Sequence, residues 1–588
     1  MTSFPDSREA GDVYAEAIAL QEAGRYVPAI AVLKRFLALE PRHADAHSRL
    51  GWLFWRTGRR DESLAAHLRA TQLAPNLAAT WSNYGLALQS TGRHDEALEV
   101  LRHAVRLDPN LADAQVNLGL DYYGRGMGED AIACFRRALT ADGRLADAWV
   151  NLGLVLQEAG EIAAPIAVND HALALRPGHG AALSNGLMTR QYAGSLSAAD
   201  LVASARRNAA ALGDALPLPD RDRWQRGKRR LRVGYVSGDL YGHPVGYFAL
   251  RALLAHDGEL VEAHAFSDTT VDDAMTAEIR TAFARWHDTR GLDDDALRQR
   301  ILDEGIDVLV DLAGHTAGNR LGVFAKRAAP VQVSWLGYAA STGLATIDGT
   351  ILGPAMAPPG AECAFAEPVI RLPRLQFTYA PPPYAPPVAL CPQDRNGFVT
   401  FGCFNNPAKI GVDVIQAWAR AMGRVENARL VLKWRAFHDP NVVARLHRRF
   451  GMLGIDPSRV EARPLSSHAE MLGQYADVDI ALDPFPFCGG LTTCEALWMG
   501  VPVVTLPWVR PMSRQGAAIL GAVGLDDLAA TTPRDYADRI VALAQDLPRR
   551  KALRDSLRGR MEASPLFDGE SLARALEAEY VRLSEAAS

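Results

Sequence analysis

The chain has 588 residues, too many for one hydrophobic core, which rarely grows past roughly 250–300 residues, so several domains are expected. Its 63 basic and 68 acidic residues leave a net charge of −5, which gives no electrostatic case for nucleic acid or an anionic membrane. Six scattered cysteines without a CxxC pair or matching histidine spacing point to reduced thiols in a cytoplasm and to no structural metal; the absence of a signal segment or spanning apolar run points the same way.

In the first third, Gly24, Gly58, Gly92, Gly126, Gly160 and Gly194 recur every 34 residues, as do Gly51, Gly85, Gly119 and Gly153. Pro41, Pro75, Pro109 and Pro177 and the alanines Ala70, Ala104, Ala138 and Ala172 keep the same period. A period of this length with these small residues resembles the tetratricopeptide repeat, a helical solenoid of antiparallel pairs. Five repeats and part of a sixth are expected over residues 10–196, followed by a helical and basic linker over 197–230. Asn83, Asn117, Asn151 and Asn185 also stand 34 apart. A row of amides can pair with the N–H and C=O of an extended client, or can bond neighbouring helices within the stack.

After the linker the pattern changes to strands alternating with helices. Leu231–Ser237, Leu260–Phe266, Ile306–Leu312 and Val331–Trp335 read as strands of a doubly wound lobe over 231–385. A proline-rich run at 380–392 precedes a second series over 395–588, with strands at Phe398–Phe404, Leu430–Trp434, Val478–Leu482 and Val501–Leu506. A helix from about Ser571 is expected to cross back onto the first lobe. Ligand is expected at the carboxyl ends of the strands. Between the last two strands, Gly489 and Gly490 allow a tight turn, and Thr492 and Thr493 open a helix whose N–H groups and dipole suit a diphosphate or, more plainly, serve as its cap.

The repeats followed by GYVSGDLYGHPVGYF, DLAGHTAGNRL, PVQVSWLGY, FGCFNNPAKI and DIALDPFPFCGGLTTCEALWMGVPVVTLP resemble the O-GlcNAc transferase and SPINDLY family of protein O-glycosyltransferases over nearly the whole chain. The resemblance implies a GT-B-type enzyme of two Rossmann-like lobes that moves a sugar from a nucleotide-sugar to Ser or Thr of a protein client, without a metal or other cofactor. It implies catalytic roles for His243, beside Asp239 and Pro244, and for Lys409. It implies donor contacts from Asn405, Asn406, Leu491, Thr492, Thr493, Ser513, Arg514 and His315, a cleft wall at Trp335, Gly337 and Tyr338, and client contacts from the asparagine ladder. Asp477 and Asp479 read as helix end and strand start rather than as a metal-binding pair.

Departures lie at Phe487, Cys488, Gly490 and Leu491, where the family is usually polar, and at Ala339 and Gly353. They leave open a flagellin transferase using a CMP-linked nonulosonic acid, a weaker N-linking alternative, and a non-catalytic repeat adaptor that only binds nucleotide. The composition favours a bacterial source, and repeat surfaces in this family can pair as homodimers.

Overall fold

The computed structural model describes residues 7–219 and 230–587; most of the basic part of the expected linker, 220–229, lies outside the described residues. The chain divides into two compact units, one reaching Val155 and one starting at Leu156.

The first unit is built from antiparallel helix pairs: α1 (Ser7–Glu22) with α2 (Tyr26–Leu39), α3 (Ala44–Arg56) with α4 (Arg60–Leu73), α5 (Ala78–Ser90) with α6 (His94–Leu107), and α7 (Ala112–Gly124) with α8 (Gly128–Ala141). The two glycine series have separate causes. A Cβ on Gly51, Gly85 or Gly119 would stand 2.7, 2.6 or 2.8 Å from His67, Leu101 or Phe135 of the paired helix, so these positions allow the two helices to touch. Gly24, Gly58, Gly92 and Gly126 instead turn the chain between the helices at φ of 72, 78, 77 and 75°, a region that side chains disfavour. Helix α9 (Ala146–Glu158) runs across the division between units.

The second unit begins with α10 (Ala163–Leu175), α11 (Gly180–Tyr192) and α12 (Ala198–Ala209). Residues 198–209, the start of the expected helical and basic linker, form a helix with a Ser197–Asp200 capping box. Ala205 of α12 lies so close to Gly343 that a Cβ there would fall 2.3 Å from its backbone. The sixth helix pair therefore packs as part of the sheet-bearing unit.

The first sheet has seven parallel strands: β1 (Leu231–Ser237), β2 (Val261–Ser267), β3 (Arg285–Asp288), β4 (Val308–Asp311), β5 (Val331–Trp335), β6 (Gly349–Leu352) and β7 (Val369–Arg371), in the order β3-β2-β1-β4-β5-β6-β7. Helices α13 (Pro244–Leu254), α14 (Ala274–Arg280), α15 (Asp294–Glu304) and α16 (Leu321–Ala325) fall between its first five strands. After α17 (Pro392–Asn396), a second parallel sheet comprises β8 (Thr400–Cys403), β9 (Arg429–Lys433), β10 (Val460–Arg463), β11 (Ile480–Leu482) and β12 (Val503–Val504), ordered β10-β9-β8-β11-β12. Its helices are α18 (Val412–Met422), α19 (Pro440–Gly451), α20 (His468–Gly473), α21 (Leu491–Trp498), α22 (Gln515–Ala522), α23 (Pro533–Gln545) and α24 (Leu547–Glu562).

The inner strands are buried on both faces and accordingly rich in Val, Ile and Leu, whereas the edge strands β3, β7 and β10 are partly exposed. The final helix α25 (Gly569–Ala586) returns to the first lobe as expected. Leu572, Leu576 and Tyr580 join its core, and Glu577 accepts from His256 Nδ1 at 2.8 Å. Chain order reverses between β1 and β4 in one sheet and between β8 and β11 in the other. A ligand crevice belongs outside the carboxyl ends of strands at such points.

Candidate active site

The loops that leave β8 and β11 carry the densest set of polar groups at these switch points. Asn405 and Lys409 follow β8, and the turn 483–490 follows β11 and leads into α21. Asn405 Oδ1 accepts from Lys409 Nζ at 3.1 Å and from Thr492 Oγ1 at 3.1 Å, so one amide oxygen sets both donors. Lys409 Nζ also donates to Cys488 O at 3.0 Å and sits 4.7 Å from the centre of the Phe487 ring. Burial lowers its pKa below the usual 10.5, with the charge of Asp483 among the groups opposing that shift.

Asp483 was missed in the sequence. Its carboxylate accepts from Gly489 N at 2.5 Å and Thr505 Oγ1 at 2.6 Å, which holds the glycine turn in shape. Burial pushes its pKa up to about 6. A Cβ on Gly489 would stand 2.6 Å from Thr492 Oγ1 and 2.9 Å from Thr493 Oγ1, so the glycine keeps a small space open beside both hydroxyls. The same loops line a small open pocket with Asn405, Tyr475, Asp483, Thr492 and Thr493 on its wall. Leu491 opens α21 and packs against the second-lobe core. A cation, two hydroxyls and a helix N-terminus thus converge, an arrangement that can bind a phosphorylated ligand.

On the first lobe, His243 is the N-cap of α13, just past the carboxyl end of β1. Its Nδ1 lies 3.4 Å from Val245 N and 3.7 Å from Asp239 Oδ1. The backbone contact is the shorter and meets hydrogen-bond geometry, so Nδ1 accepts and Nε2 carries the proton. Burial lowers the His243 pKa below 6.5 against the opposing pull of Asp239, which keeps the ring neutral at pH 7. One turn along α13, Tyr247 meets a second group that sequence reasoning missed. His468 Nδ1 lies 2.7 Å from Tyr384 OH and 3.4 Å from Tyr247 OH, while its Nε2 is 2.7 Å from Glu495 Oε1 on α21. These contacts join the opening turns of α13 and α21 across the two lobes. The buried glutamate on the same helix face as Thr492, three residues on, was the available signal.

The geometry gives the other assigned residues partners within the protein. His315 is 2% exposed, with Nε2 donating to Thr342 O at 2.9 Å and Nδ1 facing Ser184 Oγ at 3.3 Å, so it fastens α11 to the first lobe. Ser513 is fully buried; it accepts from Trp508 N and donates to Arg510 O. Arg514 donates to Ala355 O at 2.7 Å and Trp508 O at 3.0 Å, tying the lobes together. Asn406 Oδ1 caps the turn at Ala408 N. Trp335 and Tyr338 are core residues, with Trp335 Nε1 donating to Gln376 O and Tyr338 OH accepting from Gln191.

In the ladder, Asn83 and Asn117 donate to Ser48 and Ser82 of the preceding repeat at 3.0 Å, so these amide N–H groups serve the stack. Asn151 and Asn185 are both half-buried on the first helix of their pairs. Asp479 accepts from Thr400 N and Gln393 N, and Asp477 pairs with Arg395 and Arg463, which makes both structural.

Comparison with known proteins agrees with this architecture. Residues 14–78, 76–144 and 116–179 match tetratricopeptide repeat models. A probable UDP-N-acetylglucosamine–peptide N-acetylglucosaminyltransferase SPINDLY of Solanum lycopersicum is 39% identical over 371 residues, covering 62% of this chain and 40% of that protein. The corresponding SEC protein of Arabidopsis thaliana is 27% identical over 372 residues, 61% of this chain and 37% of that protein. The match thus spans about 40% of the length of such curated relatives. A solved structure of a mutant Thermobaculum terrenum O-GlcNAc transferase superposes with a TM-score of 0.79 at 33% identity, covering 87% of this chain and 98% of that one. Residues 215–379 and 392–576 match the model of glycosyl transferase family 41, and the chain belongs to that family.

Proposed function

We propose that the protein transfers a sugar from a nucleoside-diphosphate donor to a Ser or Thr hydroxyl of a protein client, and that its repeats hold the client. The observation that carries this reading is the shared acceptor Asn405 Oδ1, which aims Lys409 and Thr492 at one space beside the start of α21. In the transfer, the acceptor oxygen bonds to the anomeric carbon as the bond from that carbon to the diphosphate breaks. The hydroxyl proton passes to solvent. Charge accumulates on the departing diphosphate, where the Lys409 ammonium and the helix N–H groups are already in place. His243, neutral with its proton on Nε2, donates a hydrogen bond at the first-lobe side of the crevice. None of these steps calls for a metal ion, so transfer should continue in EDTA.

The names of the SPINDLY and SEC relatives favour UDP-N-acetylglucosamine as the donor, and a deoxyhexose donor is kept in the test. The apolar Phe487 and Leu491 favour keeping a CMP-linked nonulosonic acid and a flagellin client in the test. A CMP donor carries one phosphate, so Lys409 and the threonines would then share a single charged group. The repeat adaptor remains the alternative of another class.

The test incubates purified full-length protein and flagellin with each donor in turn and reads the client by intact-mass spectrometry. A HexNAc or deoxyhexose mass gained with wild type, and reduced about 10²–10³-fold in initial rate by Lys409→Ala, supports the proposal. A nonulosonic-acid mass identifies the flagellin reading. Full activity of Lys409→Ala would sink the assigned role, and no mass gain with any donor or cellular client favours the adaptor.

A further inference from the structure

We propose that His264, His287 and Glu304 form a binding site for one divalent transition metal, zinc by preference, which ties edge strand β3 to β2 and to the end of α15. Cysteine spacing gave no reason to expect a metal. The site comes instead from sheet register. In the parallel β2–β3 pair, His264 stands opposite Arg285 and Phe266 opposite His287, and the period of two puts all four side chains on one face. Glu304 closes α15 beside that face. Among the described residues, this is the one group of three His, Cys, Asp or Glu whose ligand atoms lie within 4.8 Å of one another.

The spacing fits a coordination sphere. His287 Nε2 is 3.5 Å from His264 Nδ1, and His264 Nδ1 is 3.9 Å from Glu304 Oε2. Bonds of about 2.0–2.1 Å in a tetrahedron place neighbouring ligand atoms about 3.3 Å apart, so the first distance must close by about 0.2 Å and the second by about 0.6 Å. His264 Nε2 faces Glu262 Oε1 at 3.0 Å. That hydrogen bond puts the proton on Nε2 and leaves the Nδ1 lone pair aimed at the other two ligands, as carboxylates behind metal-bound histidines commonly do. Glu262 is itself held near Arg230 and Arg232. The histidine side chains are only 1% and 8% exposed, while both glutamates retain 15%, enough for a water in the fourth position.

A resident cation competes. Arg285 Nη1 lies 2.9 Å from Glu304 Oε2, but its side chain is 57% exposed and can swing into solvent. The site is separate from the proposed transfer chemistry. Glu304 precedes the amino end of β4, whereas Asp239 and His243 follow the carboxyl end of β1.

The test titrates EDTA-dialysed full-length protein with cobalt(II), reads the visible absorption of tetrahedral cobalt, and then displaces it with zinc. One equivalent is expected. His287→Asn and Glu304→Gln should each weaken binding by about 100-fold, Glu262→Gln by about 10-fold or more, and Arg285→Gln should tighten it severalfold. Circular dichroism checks each fold. Should His287→Asn unfold, Glu304→Gln at the helix end decides alone. Absence of a one-equivalent cobalt spectrum overturns the proposal, as does wild-type affinity in Glu304→Gln, which would place the metal on other groups such as the cysteines.

Discussion

Asn405 and Lys409 meet through a single oxygen: Asn405 Oδ1 lies 3.1 Å from Lys409 Nζ, and that same atom takes the Thr492 hydroxyl at 3.1 Å. Toward Lys409 and Thr492 the asparagine acts as an acceptor, while its Nδ2 donates to Cys403 Sγ at 3.7 Å. Asn405→Asp therefore keeps both hydrogen bonds while adding a negative charge beside the space assigned to the diphosphate. If a phosphorylated donor sits there, the variant should lose donor affinity and about 10²-fold in kcat/KM, as much as Asn405→Ala. Wild-type kinetics in Asn405→Asp would show that no anion approaches this oxygen. Isothermal titration with the nucleoside diphosphate alone separates binding from transfer.

Gly489 offers a steric test of the same space. An alanine methyl would fall 2.6 Å from Thr492 Oγ1, 2.9 Å from Thr493 Oγ1 and 3.0 Å from Asp483 Oδ1. None of these atoms is the loose end of a long side chain. Gly489→Ala should therefore abolish measurable nucleotide binding and also lower the melting temperature, because the methyl presses on Asp483 Oδ1, the atom that holds the turn. Retained binding would move the ligand away from the glycine turn.

Two perturbed groups set the expected pH dependence. His243 works in its neutral form, and burial lowers its pKa below 6.5, so activity should fall only as pH drops through a value under 6.5. Lys409 works as a cation, and burial lowers its pKa below 10.5, so activity should fall as pH rises through a value under 10.5. kcat/KM for the donor reports these free-enzyme values. Lys409→Ala should remove the alkaline limb from the residual activity and His243→Gln the acid limb. An acid limb that persists in His243→Gln belongs to Asp483, which burial pushes to about 6, and would deny His243 the titrating role.

The parts of this architecture legible in the sequence are those where one residue type has one physical job. Gly51 and Gly85 recur because a Cβ would strike His67 and Leu101, and Gly58 and Gly92 because the backbone turns at positive φ. Strands β1 (LRVGYVS) and β5 (VQVSW) are rich in valine and bounded by loops, and match their expected limits. The strands that escaped notice, β3 (RWHD), β6 (GTIL), β7 (VIR) and β10 (VEAR), are three or four residues long, and all but β6 stand at a sheet edge.

The same limit governs the site. Asn405, Lys409, Thr492 and Thr493 occupy the loops after β8 and β11 because those loops follow recognisable buried strands. His315, Asn406, Ser513 and Arg514 lie in equally distinctive motifs, yet their polar atoms turn inward to Thr342, Ala408, Trp508 and Ala355. A motif places a residue along the chain and says nothing of which way its side chain points. Asp483 and the His468–Glu495 pair depend on which side chains the loops after neighbouring strands bring together, which periodicity does not encode.

Arg510 shows what a distant contact contributes to stability. Its guanidinium is 5% exposed and donates to Gln191 O at 3.0 Å, to Ala193 O at 2.6 Å and to Leu196 O, carbonyls at and beyond the end of α11. The negative end of the helix dipole lies there, so a cation is favourably placed, although burial lowers its pKa below 12.5. Arg510→Met preserves much of the volume but leaves buried carbonyls without a donor, at about 1–3 kcal/mol for each one that water does not reach. A net loss of about 3 kcal/mol is expected, visible as a lower first melting transition of the full chain. Arg510→Lys should recover only part of it, since one ammonium cannot span carbonyls separated along 191–196. Because the arginine belongs to the second lobe and its acceptors to the sixth helix pair, the methionine variant should also expose the chain near Leu196 to protease before the sheets unfold. Melting and proteolysis indistinguishable from wild type would mean that the other contacts of α11, His315 to Ser184 and Tyr338 to Gln191, suffice to hold this junction.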